Sequence, residues 1–471
     1  MIGISEMKRP VCSALPQRIH IIGIGGSGMS AIARVLALRG YRVSGSDLCA
    51  SSLTEDLNRL GIATYVGHRA EQVAGVELVA ISSAIPEGNA EVQAARSALI
   101  PVMKRRELLA AMTAESVTVA VAGSHGKTTT AAMTAAMLQR LGLSPSYIVG
   151  GVIAELGTNA GAGEGPHFVI EADEYDRAFH GIYPTLAVVT NIEMDHPDYF
   201  RDLDDLRAAY GGFLDNVEPH GAIIAGVDSP ELARLLSWRC ATTWRRALQV
   251  MTYGYSPQAE YRLEGVQANA QGGVDFRLVR RGELWGDFSL GVPGVHNALN
   301  ATAALIVAEC LGLGRKPAGA ALASYRGTLR RFEVKGERRG VTVVDDYAHH
   351  PTQVRATLSA ARARYPGRRL WALFQPHTYS RTRALLAELS TCFADADRVL
   401  ITEVYAARSH ERPTISSTEV VAAIQHPCVR RVQSLDEAVD YLLGQLGEGD
   451  VLLTLGAGDD YLVGERVLEG L

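Results

Sequence analysis

The chain of 471 residues is long enough for about two to four domains of ordinary size. Its 46 lysines and arginines against 51 aspartates and glutamates give a formal net charge of −5, which argues against a protein that coats nucleic acid with a basic face. With no cleavable leader and no run of about 18 apolar residues, a soluble cytoplasmic enzyme without a membrane span is expected. The six cysteines are widely spaced, as in reduced cytoplasmic proteins: Cys12, Cys49, Cys240, Cys310, Cys392 and Cys428.

Short apolar runs alternate with Ala- and Leu-rich helical stretches along most of the chain, from RIHIIGIG near the start to VLLTLGAG near the end. Buried strands that alternate with helices predict an α/β fold with mostly parallel sheets covered on both faces. Three such blocks can be separated, at residues 17–114, 115–327 and 328–471. A polar region at about residues 252–291 favours a hairpin within the second block.

The first glycine-rich turn follows a strand and precedes the helical stretch MSAIARVLALRG. It fits G-x-G-x-x-G through Gly23, Gly25 and Gly28, and Asp47 ends the next strand. Glycines at these positions let backbone N–H groups approach a diphosphate at a helix N-terminus, and the acid can accept ribose hydroxyls. Three interpretations stay open: NAD binding, binding of another diphosphate nucleotide such as a UDP-sugar, or a tight turn without a ligand.

The second glycine-rich turn, Gly123-Ser-His-Gly-Lys127-Thr128, follows the apolar strand VTVAVA and opens a helix. Its ending is that of a P-loop, in which the lysine offsets β- and γ-phosphate charge and the threonine hydroxyl binds Mg²⁺. The usual first glycine is Val121 here, so this is a shorter variant. Only five lysines occur in the whole chain, and one of them stands at this position. The turn therefore predicts a nucleoside triphosphate site.

Acidic residues follow the next two predicted strands. Glu171, Asp173 and Glu174 end the strand FVIE, and Asp195 with His196 follows the strand LAVVTN. A carboxylate beside a P-loop is a common Mg²⁺ ligand, and Glu171 is the first candidate. Asp173 and Glu174 could instead be solvated turn residues. His196 could be a core or capping histidine, although adjacent strand ends favour a metal or phosphate role.

Taken together, these motifs resemble the Mur ligases of peptidoglycan synthesis, through GSHGKTT, EADEYD and TNIEMDH. The branch of the family that adds L-alanine is matched most closely. Its pattern is similar to GIGGSGMSAIA, SGSD, SSAIP, VMKRREL, PGVHNALNA, VVDDYAHHPT, FQPHTYSRT, EVYAAR and TLGAGD, which occur in that order. The resemblance spans all three blocks and nearly the whole chain.

The resemblance implies an N-terminal Rossmann-like domain for a UDP-sugar, a central P-loop ATPase domain and a C-terminal Rossmann-like domain for the amino acid. It implies an ATP- and Mg²⁺-dependent ligase that joins L-alanine to the carboxylate of UDP-N-acetylmuramic acid. In the implied reaction the carboxylate attacks ATP to give an acyl phosphate, and the alanine amine then displaces phosphate. No nucleic-acid partner and no membrane span are expected, and the protein is expected to be a monomer or homodimer.

Site residues are carried over where this sequence matches the family's motifs. The catalytic group would be Lys127, His196, Glu171 and Arg331. Mg²⁺ would be held by Thr128, Glu171 and His196. The ATP site would comprise Gly123, Ser124, His125, Gly126, Lys127, Thr128, Thr129, Asn297 with His296 beside it, Arg331 and Asp346. The UDP-sugar site would comprise Gly25, Gly26, Ser27, Gly28, Asp47, Ser83 and Arg105. The alanine pocket would comprise Tyr347, His349 and Arg381, since arginine can grip a carboxylate with two hydrogen bonds.

Plainer interpretations of these residues stay open. Arg330 and Arg331 could be a solvated pair at a domain boundary, and Asn297 an ordinary first-turn residue of a helix. Tyr347 could simply pack, and the histidines could be structural or capping residues: His349, His350 and His377. One departure is clear, because several Mur ligases carry a carbamylated lysine near Mg²⁺, whereas no lysine lies between residues 127 and 316 here.

Three rival functions remain at this level. An NAD-dependent dehydrogenase fused to a kinase-like domain would use the first glycine-rich turn, but it leaves the second turn unexplained. A neighbouring ligase that attaches a recycled tripeptide to the same sugar nucleotide also carries a DD-aromatic-AHHP run, but its first glycine-rich turn differs. A binding protein with a degenerate ATP site is disfavoured by the intact Lys127, Thr128 and Glu171.

Overall fold

The computed structural model of the chain describes residues 15–242, 248–407 and 412–471. Cys12 lies outside these residues, and the cysteines within them are free thiols: Cys49, Cys240, Cys310, Cys392 and Cys428. Two units can be distinguished. The first comprises the described residues up to Ile192 together with Asp204–Tyr261 and Ala303–Ala321. The second comprises Glu193–Leu203, Arg262–Thr302 and the described residues of Leu322–Leu471.

The first sheet of the first unit is parallel throughout. Its strands are β1 (Arg18–Ile22), β2 (Arg42–Asp47), β3 (Ala63–Val66), β4 (Leu78–Ile81) and β5 (Val102–Lys104), in the order β3-β2-β1-β4-β5. Its helices are α1 (Ser27–Leu38), α2 (Ser52–Arg59), α3 (Ala90–Ser97) and α4 (Arg105–Thr113), with a 3-10 helix at Ala70–Val73. The strand order reverses between β1 and β4, where α/β sheets usually bind their ligands. The first glycine-rich turn follows β1 at this point.

The phosphate-binding turn follows a central strand of a second sheet in the first unit. Its strands are β6 (Val117–Ala122), β7 (Ser146–Ile153), β8 (Thr158–Gly161), β9 (His167–Glu171), β10 (Leu186–Val189), β11 (Ala222–Gly226) and β12 (Gln249–Gly254). They lie in the order β12-β11-β10-β6-β9-β7-β8, and only β7 with β8 is antiparallel. Helices α5 (Lys127–Arg140), α6 (Leu203–Leu214) and α7 (Pro230–Thr242) and a 3-10 helix at Tyr175–Gly181 accompany them. Because β9 and β10 flank β6, the residues after both strands can reach the turn that follows β6.

The hairpin predicted for residues 252–291 is present, but it begins later than predicted. The same sheet continues with β13 (Tyr261–Ala268), β14 (Val274–Arg280) and β15 (Glu283–Leu290), to give ten strands over the described ranges, and β14 pairs antiparallel with β15. Thr252 lies instead in β12, which pairs parallel with β11. Helices α8 (Val295–Cys310) and α9 (Arg315–Ala323) follow.

The last sheet, in the second unit, is buried on both faces. Its strands are β16 (Glu333–Arg338), β17 (Val341–Asp346), β18 (Arg369–Phe374), β19 (Arg398–Ile401), β20 (Val429–Arg431) and β21 (Asp450–Leu455), in the order β16-β17-β21-β18-β19-β20. The helices are α10 (Pro351–Arg364), α11 (Tyr379–Ala384), α12 (Leu386–Leu389), α13 (Ser417–Ala423), α14 (Leu435–Leu443) and α15 (Tyr461–Gly470). Val344 and Leu453 belong to one core cluster, whereas the adjacent Val343 and Leu452 belong to another. Alternate residues of a strand point to opposite faces, so this unbroken apolar run reflects helices on both sides.

The predicted α/β class with mostly parallel sheets is therefore confirmed. Only the edge strand β16 of the last sheet runs antiparallel to its neighbour. Among the residues that the structure describes, no helix combines the length and the apolar character that crossing a bilayer requires.

Candidate active site

The phosphate-binding turn between β6 and α5 depends on two glycines with left-handed backbone. Gly123 has φ +136° and Gly126 has φ +82°. A Cβ atom on Gly123 would lie 1.9 Å from the Oγ1 atom of Thr190, so no other residue fits there. The turn ends at Lys127, where α5 begins, so the positive end of the helix dipole lies at the turn. This is the geometry of an anion site.

Asn191 fixes this turn from the neighbouring strand β10, a role that the sequence analysis did not identify. Its Oδ1 atom accepts a hydrogen bond from the His125 N–H at 2.9 Å, and its Nδ2 donates to the His125 carbonyl at 3.0 Å. The backbone carbonyl of Asn191 also accepts from the Ser124 N–H at 3.0 Å. The adjacency of β10 and β6, together with an asparagine after β10, is the signal that could have revealed this contact.

Lys127 is held by acidic and carbonyl oxygens. Its Nζ atom donates to the Gly123 carbonyl at 2.6 Å and to the two carboxylate oxygens of Glu174 at 2.9 and 2.8 Å. Burial opposes the ammonium charge, but the carboxylates of Glu174 and Asp173 outweigh it, so the pKa of Lys127 is raised. Burial raises the pKa of Glu174 to about 7 against the opposing effect of Lys127.

Glu174 is therefore not the solvated turn residue that one interpretation of the sequence allowed. Its side chain is 1% exposed, and that of Lys127 is 14% exposed. Asp173 remains partly exposed and approaches Arg105, with 3.7 Å between Oδ2 and Nη1. Asp173 and Glu174, which follow strand β9, thus contact different basic groups, Arg105 and Lys127.

Glu171 and Thr128 form the oxygen-rich part of the site. The Thr128 hydroxyl donates to Oε1 of Glu171 at 3.0 Å, and the Gly150 N–H donates to Oε2 at 2.5 Å. A Cβ on Gly150 would lie 2.6 Å from that carboxylate, so the glycine permits this close approach. A carboxylate and a hydroxyl next to a phosphate site are the ligands that Mg²⁺ prefers. The donor set therefore fits the predicted magnesium ion.

The first glycine-rich turn is shaped by Asp47. The carboxylate accepts the Gly25 N–H on Oδ2 and the Leu48 N–H on Oδ1, both at 2.8 Å. Asp47 thus supports the turn itself, in addition to any contact with a ligand. Gly26, Ser27 and Ser83, which the sequence assigns to the same site, are all exposed.

Arg105 closes this turn on its other side. A Cβ on Gly28 would lie 2.9 Å from the Cζ atom of Arg105, so the guanidinium packs directly on the turn. Its Nε atom is buried and has no hydrogen-bond partner within the described structure. Buried donors are normally satisfied, and an arginine beside a glycine-rich turn is suited to an anionic oxygen.

In the second unit Arg381 lies at the centre of a buried polar cluster. Its Nε donates to Oδ1 of Asp195 at 2.7 Å, its Nη1 lies 3.1 Å from His377 Nδ1, and its Nη2 lies 3.5 Å from His196 Nδ1. Burial alone would raise the pKa of Asp195, but Arg381, His196 and His349 hold it well below its usual range. His196 has left-handed backbone, with φ +55°. The predicted alanine residue Arg381 and the predicted metal residue His196 are thus brought together.

Tyr347 and His349 line the same cluster. The His349 Nδ1 atom lies 2.8 Å from the Tyr347 carbonyl, and the two rings meet edge to face with centroids 5.5 Å apart. Burial, aided by Arg381, holds the pKa of His349 well below 6.5, so the ring is neutral and Nδ1 carries the proton. His350 has the structural role, because its Nδ1 accepts the Thr352 N–H and caps α10.

Arg330 and Arg331 are not a solvated pair. Arg330 donates from Nε to Asp345 at 2.9 Å and from Nη1 and Nη2 to the carbonyls of Gly458 and Gly456, both at 3.1 Å. The guanidinium of Arg331 lies 5.0 Å from the centre of the Tyr347 ring. Left-handed backbone flanks Arg331 on both sides, with φ +59° at residue 330 and +48° at residue 332.

Asp346 and Asn297 are both buried and hydrogen-bonded within the protein. Asp346 accepts the N–H groups of residues 332 and 348, both at 2.8 Å, and burial raises its pKa to about 6. Asn297 donates to the Pro293 carbonyl at 2.7 Å in the first turn of α8. Beside it, burial and then Arg331 lower the pKa of His296 to about 4.

The predicted residues therefore fall into two groups. The first unit holds the predicted UDP-sugar residues and the phosphate-binding turn, together with Lys127, Thr128 and Glu171. The second unit holds His196, Asn297, Arg331 and Asp346 with the predicted alanine residues.

Three Mur ligase sequence profiles match the chain in order. The profile "Mur ligase family, catalytic domain" matches residues 18–116, "Mur ligase middle domain" matches residues 121–308, and "Mur ligase, glutamate ligase domain" matches residues 330–458. Together the three matches extend from residue 18 to residue 458.

Curated relatives are similar over nearly the whole length. The UDP-N-acetylmuramate–L-alanine ligase of Acidobacterium capsulatum is 44% identical over 447 residues, which is 95% of this chain and 96% of the relative. That of Myxococcus xanthus is 43% identical over 455 residues, 96% of this chain and 94% of the relative.

Solved structures give the same likeness. The UDP-N-acetylmuramate–alanine ligase of Thermotoga maritima has a TM-score of 0.79 at 28% identity, covering 96% of this chain and 98% of that one. A murein peptide ligase from Psychrobacter arcticus has a TM-score of 0.71 at 24% identity, covering 97% and 98%, and this likeness concerns the fold alone.

Proposed function

The chain belongs to the Mur ligase family, and we propose that it joins L-alanine to UDP-N-acetylmuramic acid at the expense of ATP, in peptidoglycan precursor synthesis. The observation that carries this proposal is the phosphate-binding turn with Lys127 beside Thr128 and Glu171. Similarity to alanine ligases at 40% to 44% identity across nearly the whole chain supports the choice of amino acid.

The chemistry requires two anions to meet. A carboxylate oxygen of the sugar acid attacks the γ-phosphorus of ATP, ADP leaves, and an acyl phosphate forms. The neutral amine of alanine then adds to the acyl carbon, and the tetrahedral intermediate expels inorganic phosphate to leave an amide. Lys127 and the N-terminus of α5 would offset the repulsion between carboxylate and triphosphate, and such electrostatic stabilisation is usually the largest catalytic contribution.

Magnesium, when bound, would supply further positive charge at the phosphates, held by Thr128 and Glu171, with His196 as a ligand for a second ion or the acyl phosphate. For ATP, Asn297 would contact the adenine, and Arg331 and Asp346 would reach the γ-phosphate and ribose. The remaining ATP residues belong to the turn itself.

The UDP-sugar and L-alanine would each bind at an arginine, Arg105 and Arg381 respectively. Arg105, with its unsatisfied Nε, would bind an anionic oxygen of the UDP-sugar over the first glycine-rich turn. Tyr347, His349 and Arg381 would form the alanine pocket. Besides the bond from Nε to Asp195 and the contacts of Nη1 with His377 and of Nη2 with His196, Arg381 has one more N–H group on each Nη atom for a carboxylate.

We extend the proposal to three domains, at residues 17–114, 115–327 and 328–471, and to a cytoplasmic monomer or homodimer. ATP residues come from both the central and the last of these domains, so a productive site would require the two to approach each other. Small-angle scattering with and without an ATP analogue and UDP-N-acetylmuramic acid tests this, and unchanged dimensions with both ligands bound contradict it.

The decisive assay is phosphate release from ATP with Mg²⁺ and UDP-N-acetylmuramic acid across a panel of amino acceptors. L-alanine should support the highest kcat/KM, above glycine, L-serine and a tripeptide that begins with L-alanine. The highest rate with the tripeptide would identify the neighbouring ligase instead, and tight binding of NADH would favour the dehydrogenase interpretation.

Lys127→Ala provides the matched control for this assay. It should abolish turnover while leaving the binding of UDP-N-acetylmuramic acid intact, because the sugar nucleotide uses the other glycine-rich turn. Retained turnover in this variant would overturn the role given to the phosphate-binding turn.

A further inference from the structure

All three hydrogen-bond donors of the Lys127 ammonium are in use. They go to the Gly123 carbonyl at 2.6 Å and to Oε1 and Oε2 of Glu174 at 2.9 and 2.8 Å. An ammonium group has three donors and no more. A phosphate oxygen can therefore gain a hydrogen bond from Lys127 only if one of these contacts is given up.

Of the two partners, Glu174 is the one that competes electrostatically with a phosphate. The Gly123 carbonyl is neutral, and its position is fixed by the backbone of the turn, where a Cβ would collide with Thr190. Glu174 carries a carboxylate on a side chain that is 1% exposed. This charge attracts the same ammonium that an incoming triphosphate attracts, and it repels the triphosphate.

We propose that Glu174 is a positioning residue that holds Lys127 in the nucleotide-free enzyme and competes with nucleotide phosphates for its ammonium group. This inference rests on the proposed function, because it takes the turn after β6 to be the ATP site. Glu174 is distinct from the magnesium residues, since Glu171 is bonded to Thr128 and Gly150 instead.

A physical reason for such a residue lies in the burial of the lysine. An ammonium that is 14% exposed and lacks a counter-ion would carry an electrostatic cost in stability, because burial removes most of the water around its charge. Glu174 removes that cost while the site is empty, and the phosphates remove it when a nucleotide is bound. The raised pKa of Glu174, about 7, fits a carboxylate that burial disfavours and Lys127 keeps charged.

Glu174→Gln tests the competition directly, because the amide keeps the shape and one acceptor oxygen but removes the charge. The dissociation constants of ADP and a non-hydrolysable ATP analogue with Mg²⁺ would be measured by calorimetry at about pH 8. We expect both to fall by at least about tenfold, because removal of one nearby negative charge lowers the electrostatic repulsion of the phosphates. Glu164→Gln removes an exposed charge from the same unit and should change them less than about twofold.

The direction of the change separates this role from a merely structural one. Damage to the packing around Lys127 would weaken nucleotide binding, whereas removal of a competitor strengthens it. An unchanged or increased dissociation constant in Glu174→Gln, with the circular dichroism spectrum of the wild type, overturns the proposal. If the wild-type protein binds neither nucleotide, the proposed function fails and this inference falls with it.

A second measurement needs only the wild-type chain. With five lysines in the whole sequence, labelling with lysine enriched in ¹³C at Cε gives few NMR signals, and the signal lost in Lys127→Arg identifies Lys127. Saturation with ADP should shift the Lys127 signal more than those of Lys104 and Lys335. A Lys127 signal that does not move at saturation would show that the ammonium keeps its contacts, and it would contradict the competition.

Discussion

Replacement of Asn191 by alanine removes two of the three side-chain hydrogen bonds that the backbone of His125 makes, and the bond from the Thr190 hydroxyl remains. One lost bond is accepted from the His125 N–H at 2.9 Å, and the other is donated to its carbonyl at 3.0 Å. Each neutral hydrogen bond contributes about 1 kcal/mol net, so the variant loses about 2 kcal/mol of support for the phosphate-binding turn. If the turn must be ordered to bind phosphates, the loss appears in nucleotide affinity as about a 30-fold increase in Kd.

Calorimetric titration with ADP and Mg²⁺ measures this increase. Asn216→Ala is the matched control, because Asn216 also donates to a backbone carbonyl, that of His180 at 2.9 Å, in the same unit. It should lose stability but keep its ADP affinity. An Asn191→Ala protein that binds ADP as tightly as the wild type would refute the reasoning, since the turn would then keep its form without the side chain.

Three further predictions concern burial and charge. Asp195→Asn leaves Arg381, which is 6% exposed, without its charged partner. Urea denaturation should show that the free energy of unfolding falls by about 3–5 kcal/mol. A decrease below about 1 kcal/mol would contradict this prediction. His296, with its pKa lowered to about 4, is neutral when folded but protonates below pH 6.5 when unfolded, so stability falls as pH drops from 6.5 towards 4. His296→Gln should flatten that part of the stability–pH curve, and an unchanged slope would argue against it. Burial raises the pKa of Cys392 to about 12, so this thiol should resist alkylation in the native protein while the exposed Cys49 reacts. Equal labelling of the two cysteines in mass spectrometry would contradict the burial of Cys392.

Much of the fold could be predicted from the sequence because local patterns carry it. Continuous apolar runs such as VTVAVA, followed by a glycine-rich turn and a helix, specify a buried parallel strand and its connection. The same local pattern places Lys127 and Thr128 at the N-terminus of α5. The predicted start of the hairpin was wrong. Polar and apolar residues alternate in β12 as they do in a hairpin strand, but β12 pairs parallel with β11.

The contacts that tune the site are long-range and left no local signal. Glu174 is 47 residues from Lys127, and spacing alone could not tell a solvated turn residue from a buried counter-ion. Arg381 lies 186 residues from Asp195, so its ion pair was beyond prediction, even though its presence in the cluster was expected. Arg330 could be assigned only when the carbonyls of the turn after β21 were known.

The most direct test of the account follows one oxygen atom. UDP-N-acetylmuramic acid labelled with ¹⁸O in its carboxylate would be converted with ATP, Mg²⁺ and L-alanine, and the released phosphate analysed by mass spectrometry. Attack of the carboxylate on ATP predicts that each phosphate carries one oxygen from the sugar acid. Phosphate free of the label, formed together with the alanyl product, would contradict activation of the carboxylate by phosphorylation.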